Sequence, residues 1–109
     1  MITFDDLTRP TPVHAVAPLL VDQLMAAGLA ESNIFFLGSF GAHRTMEQTE
    51  VVKKLGPDLV RRHRWFNHNA FEGLVDVGET SGRNRVWLNR LFHAADLRIT
   101  IGGVKIHSI

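Results

Sequence analysis

Cysteine is absent from the 109 residues, which excludes both a disulfide framework and a thiolate zinc site. A reducing compartment is the default for such a chain, so we expect a cytoplasmic location. An excess of one charge is also lacking, since 12 Lys and Arg stand against 11 Asp and Glu, for a net charge of +1. This balance gives no electrostatic case for binding nucleic acid or an anionic membrane.

Long apolar runs and targeting signals are lacking as well. No stretch approaches the roughly 18 apolar residues of a membrane span, and Asp5 and Asp6 stand where a signal peptide carries basic residues. The basic cluster at residues 61–64 falls in the last turn of a predicted helix, where cations complement the helix dipole and face water. The sequence therefore predicts a soluble chain without a membrane or nucleic-acid partner.

Several common catalytic and nucleotide-binding motifs are missing. The chain has no Gly-x-Ser-x-Gly elbow, no Gly-x-Gly-x-x-Gly and no Walker-type loop. No two of the six histidines have the i, i+4 spacing of a helical zinc site, and the closest pair, His63 and His68, spans a predicted helix end. We therefore expect this chain to ligate no metal ion.

What the sequence does contain is an alternation of short apolar runs and helical periods. This order is typical of one α/β domain with a parallel sheet, and 109 residues suffice for a single core. The predicted strands are residues 2–4, 34–37, 74–77, 86–88 and 97–101. The predicted helices are residues 15–28, 46–55, 57–63 and 89–95.

Local signals mark two of the helix starts. Thr45, followed three residues later by Gln48, has the form of a capping box, so a helix is predicted to begin at Met46 and to end near Gly56. Pro57 suits the first position of the next helix, because its fixed φ is helical and its missing N–H is not needed there.

Four loops carry most of the polar and ionisable side chains, and each loop follows a predicted strand. The loops are residues 6–9, 38–44, 78–82 and 102–107. If the strands are parallel, all four loops leave the same edge of the sheet, where open α/β folds bind ligands. The side chains collected there would be Asp6, Arg9, His43, Arg44, Thr80 and His107. This convergence predicts a functional site.

The first loop is open to two interpretations. Asp6 or Thr8 can bond backbone amides and tie down a turn, with Pro10 fixing its exit. Alternatively, Arg9 presents a rigid fork suited to phosphate or carboxylate, and a paired Asp6 holds that fork in place.

Two of the loops bring a histidine after glycines. Gly38 and Gly41 allow the backbone to approach a ligand closely, and they lead to His43 and Arg44 at the mouth of a predicted helix, a natural anion site. His107 likewise follows two glycines. Because neutral imidazole titrates near working pH, the two loop histidines can act as paired general bases.

In chain order, these stretches resemble the N-terminal domain of the nickel-pincer lactate racemase family. The matching stretches are Asp6-Leu7-Thr8-Arg9-Pro10, residues 37–50, Lys54-Leu55-Gly56, Asn67-His68, residues 78–82, residues 86–90 and residues 95–107. They cover nearly the whole chain but only the central part of that domain.

The resemblance implies a cytoplasmic enzyme that racemises or epimerises a 2-hydroxy acid with a nickel-pincer nucleotide. The hydrogen on C2 of a 2-hydroxy acid is only weakly acidic. The resemblance therefore implies that it leaves as a hydride, which the cofactor accepts, while a histidine takes the proton of the hydroxyl group. By resemblance, His43 and His107 are the two catalytic bases, each serving one enantiomer. The implied cofactor-binding residues are Asp6, Thr8, Arg9, Arg44 and Thr80.

The same resemblance places the cofactor-anchoring lysine, the nickel-binding histidine and a C-terminal domain beyond Ile109. We therefore expect residues 1–109 to be part of an N-terminal domain, a Rossmann-like parallel-sheet sandwich truncated at both ends. In isolation we expect this fragment to be inactive, with the missing C-terminal domain as its partner.

Two alternatives stay open. The chain can instead be a non-enzymatic α/β module that binds a nucleotide or another anion with the same loops. It can also self-associate through a former core surface that is left exposed.

Overall fold

The computed structural model describes residues 1–106, which form six strands, four α-helices and one 3₁₀ turn at Glu31–Asn33. The strands are β1 (Ile2–Phe4), β2 (Phe36–Gly38), β3 (Trp65–Asn67), β4 (Leu74–Glu79), β5 (Arg85–Asn89) and β6 (Ile99–Ile101). The helices are α1 (Val13–Ala26), α2 (Gln48–Leu55), α3 (Pro57–Arg62) and α4 (Arg90–Ala94). Within this part of the chain, no helix is long and apolar enough to cross a bilayer.

The main sheet has the strand order β3-β2-β1-β6, and every neighbouring pair is parallel. The chain steps outward from β1 to β2 and β3, and then returns to the other side of β1 as β6. This reversal is a topological switch point, the place where doubly wound α/β sheets bind ligands. The predicted Rossmann-like α/β fold with a parallel sheet is therefore confirmed.

The core lies between one face of this sheet and helices α1 to α3. Val13, Ala17 and Val21 stand four residues apart on α1, so they form one buried stripe. Phe4 and Phe36 project from neighbouring strands and meet edge to face, with ring centroids 6.4 Å apart. These contacts hold α1 against β1 and β2, the two strands whose carboxyl ends carry the first two predicted loops.

Strands β4 and β5 depart from the sequence prediction. They pair antiparallel as a separate two-stranded sheet, with Val75 opposite Leu88 and Asp76 opposite Trp87. The connection, residues 80–84, is too short for a parallel crossover, which needs about a dozen residues or more. The prediction that residues 78–82 leave the edge of the parallel sheet is therefore wrong.

The start of α2 also differs from the prediction. The helix begins at Gln48, because the Glu50 carboxylate accepts a hydrogen bond of 2.9 Å from the Glu47 N–H and caps the first turn from there. Thr45 is not the N-cap, and Met46 is buried in the core rather than standing first in the helix. Strand β3 was not predicted at all, and it forms an edge of the main sheet.

Candidate functional site

The loop after β1 is a turn that is stabilised by hydrogen bonds to Asp6. The Arg9 N–H donates to the Asp6 carbonyl at 3.1 Å, and the Thr8 N–H donates to Asp6 Oδ1 at 2.7 Å. The Thr8 hydroxyl donates to the same carboxylate oxygen. The interpretation of residues 6–9 as a tied-down turn is therefore confirmed.

The second oxygen of this carboxylate holds a histidine from the neighbouring strand's loop. His43 Nδ1 lies 2.7 Å from Asp6 Oδ2, and the His43 N–H donates to the Phe40 carbonyl at 3.0 Å. Because β1 and β2 are adjacent and parallel, their carboxyl ends bring the two loops together. The alternative in which Asp6 pairs with Arg9 is wrong, because the Asp6 carboxylate binds Thr8 and His43 and makes no side-chain contact with Arg9.

The Asp6 side chain is 7% exposed, whereas that of His43 is 52% exposed. Burial opposes the charge on Asp6, but hydrogen bonds from Thr8 and His43 outweigh it and hold the pKa of Asp6 below its ordinary value. A charged carboxylate can only accept, so Nδ1 of His43 carries the proton of this bond. In the neutral imidazole, Nε2 is then the basic nitrogen, as in catalytic Asp–His pairs.

Arg44 is adjacent but is directed elsewhere. Its guanidinium donates to the two Glu50 carboxylate oxygens at 2.8 and 2.6 Å and to the Thr45 carbonyl at 3.0 Å. The hydrogen bonds from Arg44 lower the pKa of Glu50 to about 2. This forked pair ties the His43 loop to the first turn of α2.

An open cleft of about 270 Å³ lies between these groups. Its lining residues are Asp6, Leu7, Thr8, His43, Arg44, Met46 and Glu50. Both the Asp6–His43 pair and the Arg44–Glu50 pair therefore line the cleft.

Arg9 is half-buried on the turn, and its guanidinium has no hydrogen-bond or ion-pair partner among residues 1–106. Its carbonyl is held from below by the ammonium group of Lys54, at 2.9 Å. Lys54 carried no predicted role. Its position on the buried face of α2, beside Val51 and Leu55, was the available signal, because a lysine on an apolar stripe requires partners.

The loop after β6 reaches the same edge of the sheet. A Cβ placed on Gly102 would lie 3.9 Å from Asp5 Oδ2, and one placed on Gly103 would lie 3.4 Å from Thr11 Oγ1. Three of the four predicted loops therefore meet at the carboxyl ends of the parallel strands. His107, at the far end of this loop, lies outside the described residues.

Thr80 is not brought to this place by the parallel sheet. It lies in the β4–β5 turn, where its hydroxyl accepts from the Asn84 N–H at 3.2 Å. Among residues 1–106, no group of three His, Asp or Glu side chains converges in the manner of a metal site.

The family model described as the lactate racemase N-terminal domain matches residues 1–109 of this chain. A lactate racemase from Lactiplantibacillus plantarum is 28% identical over 98% of the chain, and the match spans 26% of that protein. A lactate racemase from Thermoanaerobacterium thermosaccharolyticum is also 28% identical over 98% of the chain, and that match spans 25% of its length.

Solved structures agree with these relatives. The lactate racemase apoprotein from Thermoanaerobacterium thermosaccharolyticum superimposes with a TM-score of 0.83 and 29% identity, covering 91% of this chain and 24% of the other. A protein from Thermotoga maritima gives a TM-score of 0.73 and 31% identity, over 91% of this chain and 27% of the other. The chain spans about a quarter of the length of the proteins that it matches.

Proposed function

This chain belongs to the lactate racemase N-terminal domain family, and from that premise we propose that it serves a racemase that inverts C2 of lactate or a related 2-hydroxy acid. We propose a nickel-pincer nucleotide as the cofactor of that enzyme. The chain would supply part of the N-terminal domain, and a C-terminal domain would complete the grip on the substrate. On this proposal, residues 1–109 alone are inactive.

The Asp6–His43 pair carries the proposal. A substrate hydroxyl in the cleft would donate its proton to Nε2 of His43, because Nδ1 is already protonated and bound to Asp6. The imidazolium formed in that step lies 2.7 Å from a buried carboxylate, which stabilises its charge. His43 is half-exposed, so its outer nitrogen is accessible to a substrate while its inner nitrogen is fixed.

The second base of the proposed reaction is His107. With the C2 hydrogen directed at the hydride acceptor, the hydroxyl groups of the two enantiomers would lie on opposite sides of C2, so one histidine on each side would take the hydroxyl proton of one enantiomer. The approach of Gly102 and Gly103 to Asp5 and Thr11 supports this assignment, because it brings the end of β6 to the edge of the sheet that carries His43.

The described residues suit an anionic nucleotide at the same edge. When bound, the nickel-pincer nucleotide would supply the acceptor for the C2 hydrogen and its electron pair. Within residues 1–106 no side chain pairs with the guanidinium fork of Arg9, which stands on a turn closed by hydrogen bonds to Asp6, and such forks match phosphate geometry. We therefore propose Arg9 and Thr8 as the residues that hold the cofactor, with Asp6 serving chiefly to orient His43.

Two other cofactor contacts stay predictions. The Arg44 fork is occupied by Glu50, and Thr80 belongs to the separate hairpin, so either contact requires a rearrangement of the structure described above. Arg44 contributes more directly by tying the His43 loop to α2.

The test is racemisation of L-lactate and a panel of other 2-hydroxy acids by the whole protein that contains this chain, loaded with the cofactor. Interconversion of the enantiomers of at least one acid is expected. Tight cofactor binding without turnover of any acid would favour the alternative of a non-enzymatic anion-binding module.

A further inference from the structure

Lys54 is a buried lysine directly beneath the turn that carries Asp6 and Arg9. Its side chain is 4% exposed, although it projects from α2 rather than from the turn itself. A buried ammonium group is costly unless every proton finds an acceptor. Lys54 has two hydrogen bonds and one ion pair, and all three contacts lie on one short segment of the chain.

The ammonium group makes three contacts. It donates to the Arg9 carbonyl at 2.9 Å and to the Thr11 carbonyl at 3.2 Å, and it lies 2.7 Å from Asp5 Oδ1. The two carbonyl contacts are hydrogen bonds, and the contact with Asp5 Oδ1 is an ion pair. All three lie on residues 5–11, so the ammonium group can position this segment of the chain.

Asp5 extends this network to the end of β6. Its second oxygen accepts from the Thr11 hydroxyl at 2.5 Å, and Gly102 and Gly103 pass close to that pair. Lys54 therefore joins helix α2 to residues 5–11, and its partner Asp5 lies beside the glycines of the loop that leads to His107.

We propose that Lys54 is a positioning residue of the racemase site, fixing residues 5–11 so that Asp6 orients His43 and Arg9 presents its fork. This inference rests on the proposed racemase function of the Asp6–His43 site. The lysine acts through the two loop carbonyls, and Asp5 compensates its charge. An apolar side chain of the same length would fill the space but release the loop.

The test compares three variants in the whole protein that contains this chain. Lys54→Met removes the ammonium group at similar length, and Lys53→Met is the matched control, because Lys53 is the exposed neighbour on α2. Asp5→Asn combined with Lys54→Met removes both charges of the pair, so we expect it to fold even where Lys54→Met alone leaves the Asp5 charge uncompensated.

Two readouts distinguish positioning from a merely structural role. The first is hydrogen exchange at the Thr8 and Arg9 amides, both of which are bonded to Asp6 in the intact turn. The second is the division of any loss of activity between kcat and KM for the 2-hydroxy acid.

In the folded double variant we expect these two amides to exchange at least about fivefold faster, as loss of one hydrogen bond allows. We expect kcat to fall about 100-fold, the cost of small misplacements at an active site, with KM nearly unchanged. Lys53→Met should match the wild type in both readouts. Faster exchange in the double variant supports the positioning of residues 5–11 by Lys54 even if the wild type racemises no acid. In that case only the proposed function fails.

Unchanged exchange in a folded double variant would overturn the proposal, whatever happens to kcat. The proposal would also be overturned by a variant in which the Thr8 and Arg9 amides exchange faster while kcat stays at the wild-type value.

Discussion

His43 Nδ1 lies 2.7 Å from Asp6 Oδ2, although 37 residues separate the two in the sequence. The other oxygen of the same carboxylate accepts from the amide and the hydroxyl of Thr8. One buried group therefore fixes both the turn that carries Arg9 and the ring of the proposed base.

Replacing the carboxylate by an amide tests this relationship in the whole protein, on the proposed racemase activity. In Asp6→Asn, the side-chain NH₂ can face Nδ1 and favour the tautomer with a proton on Nε2, which cannot accept a substrate proton. We expect kcat to fall on the order of 10²- to 10⁴-fold with the fold retained. Steady-state kinetics measure this fall, and Asp22→Asn on the exposed side of α1 is the control. Wild-type kcat in Asp6→Asn would show that the pair does not orient the base.

The Arg44–Glu50 pair predicts a pH dependence of stability. The hydrogen bonds from Arg44 lower the pKa of Glu50 from 4.5 to about 2 in the folded chain. The pair therefore stabilises the fold above about pH 4.5, and this contribution is lost as the pH falls toward 2.

Urea unfolding of wild type and Glu50→Gln measures this dependence. The free energies of unfolding should differ at about pH 6 and converge at about pH 2. Glu72→Gln is the control, because Glu72 is exposed and lies away from the pair. A difference that stays constant over the whole range would contradict the assignment of the low pKa to Glu50.

Two leucines on helices separate core packing from surface exposure. Leu55 is 1% exposed and Leu19 is 67% exposed. We expect Leu55→Ala to lower the free energy of unfolding by about 2 to 5 kcal/mol and Leu19→Ala to change it by less than about 0.5 kcal/mol. Equal effects in denaturant unfolding would show that the core does not lie between α2 and the sheet.

Arg9 tests the proposed cofactor contact. Arg9→Lys keeps the charge but removes the planar fork, so we expect the affinity for the nickel-pincer nucleotide to fall on the order of tenfold. Titration calorimetry on the whole protein measures this loss. Arg61→Lys is the control, because Arg61 is an exposed arginine on α3 that pairs with Asp58. Unchanged affinity in Arg9→Lys would remove Arg9 from the cofactor site.

Much of the fold could be predicted from local patterns. Apolar residues recur at helical spacing in α1, Pro57 stands at the start of α3, and Asn89 caps α4 through its side-chain oxygen. The spacing of Val16, Leu19, Leu20 and Leu24 predicts the helix but not its buried face, because Val16 and Leu19 are exposed and the buried stripe is Val13, Ala17 and Val21. Each of these signals lies within one turn or one helix. The boundaries of α1, α3 and α4 therefore fall within a few residues of the prediction.

The errors arose where partners are distant or runs are short. Strand β3 has three residues, too few to show an alternating pattern, and it is recognised only by its pairing with β2. The hairpin was misassigned because β4 and β5 look like strands of any sheet, although their short connection already excluded a parallel pair.

The site was predicted in outline but not in its pairings. The strand order brings Asp6 and His43 together, yet no local pattern shows that Asp6 binds His43 rather than Arg9. Lys54 was missed for a related reason, because its partners are backbone carbonyls more than 40 residues away.

The most direct measurement is the interconversion of L- and D-lactate by the cofactor-loaded whole protein and its His43→Gln variant, followed in both directions. If His43 is the base held by Asp6, turnover in the variant is lost in both directions while its fold and cofactor content are retained. Full turnover in His43→Gln would contradict the role of the Asp6–His43 pair.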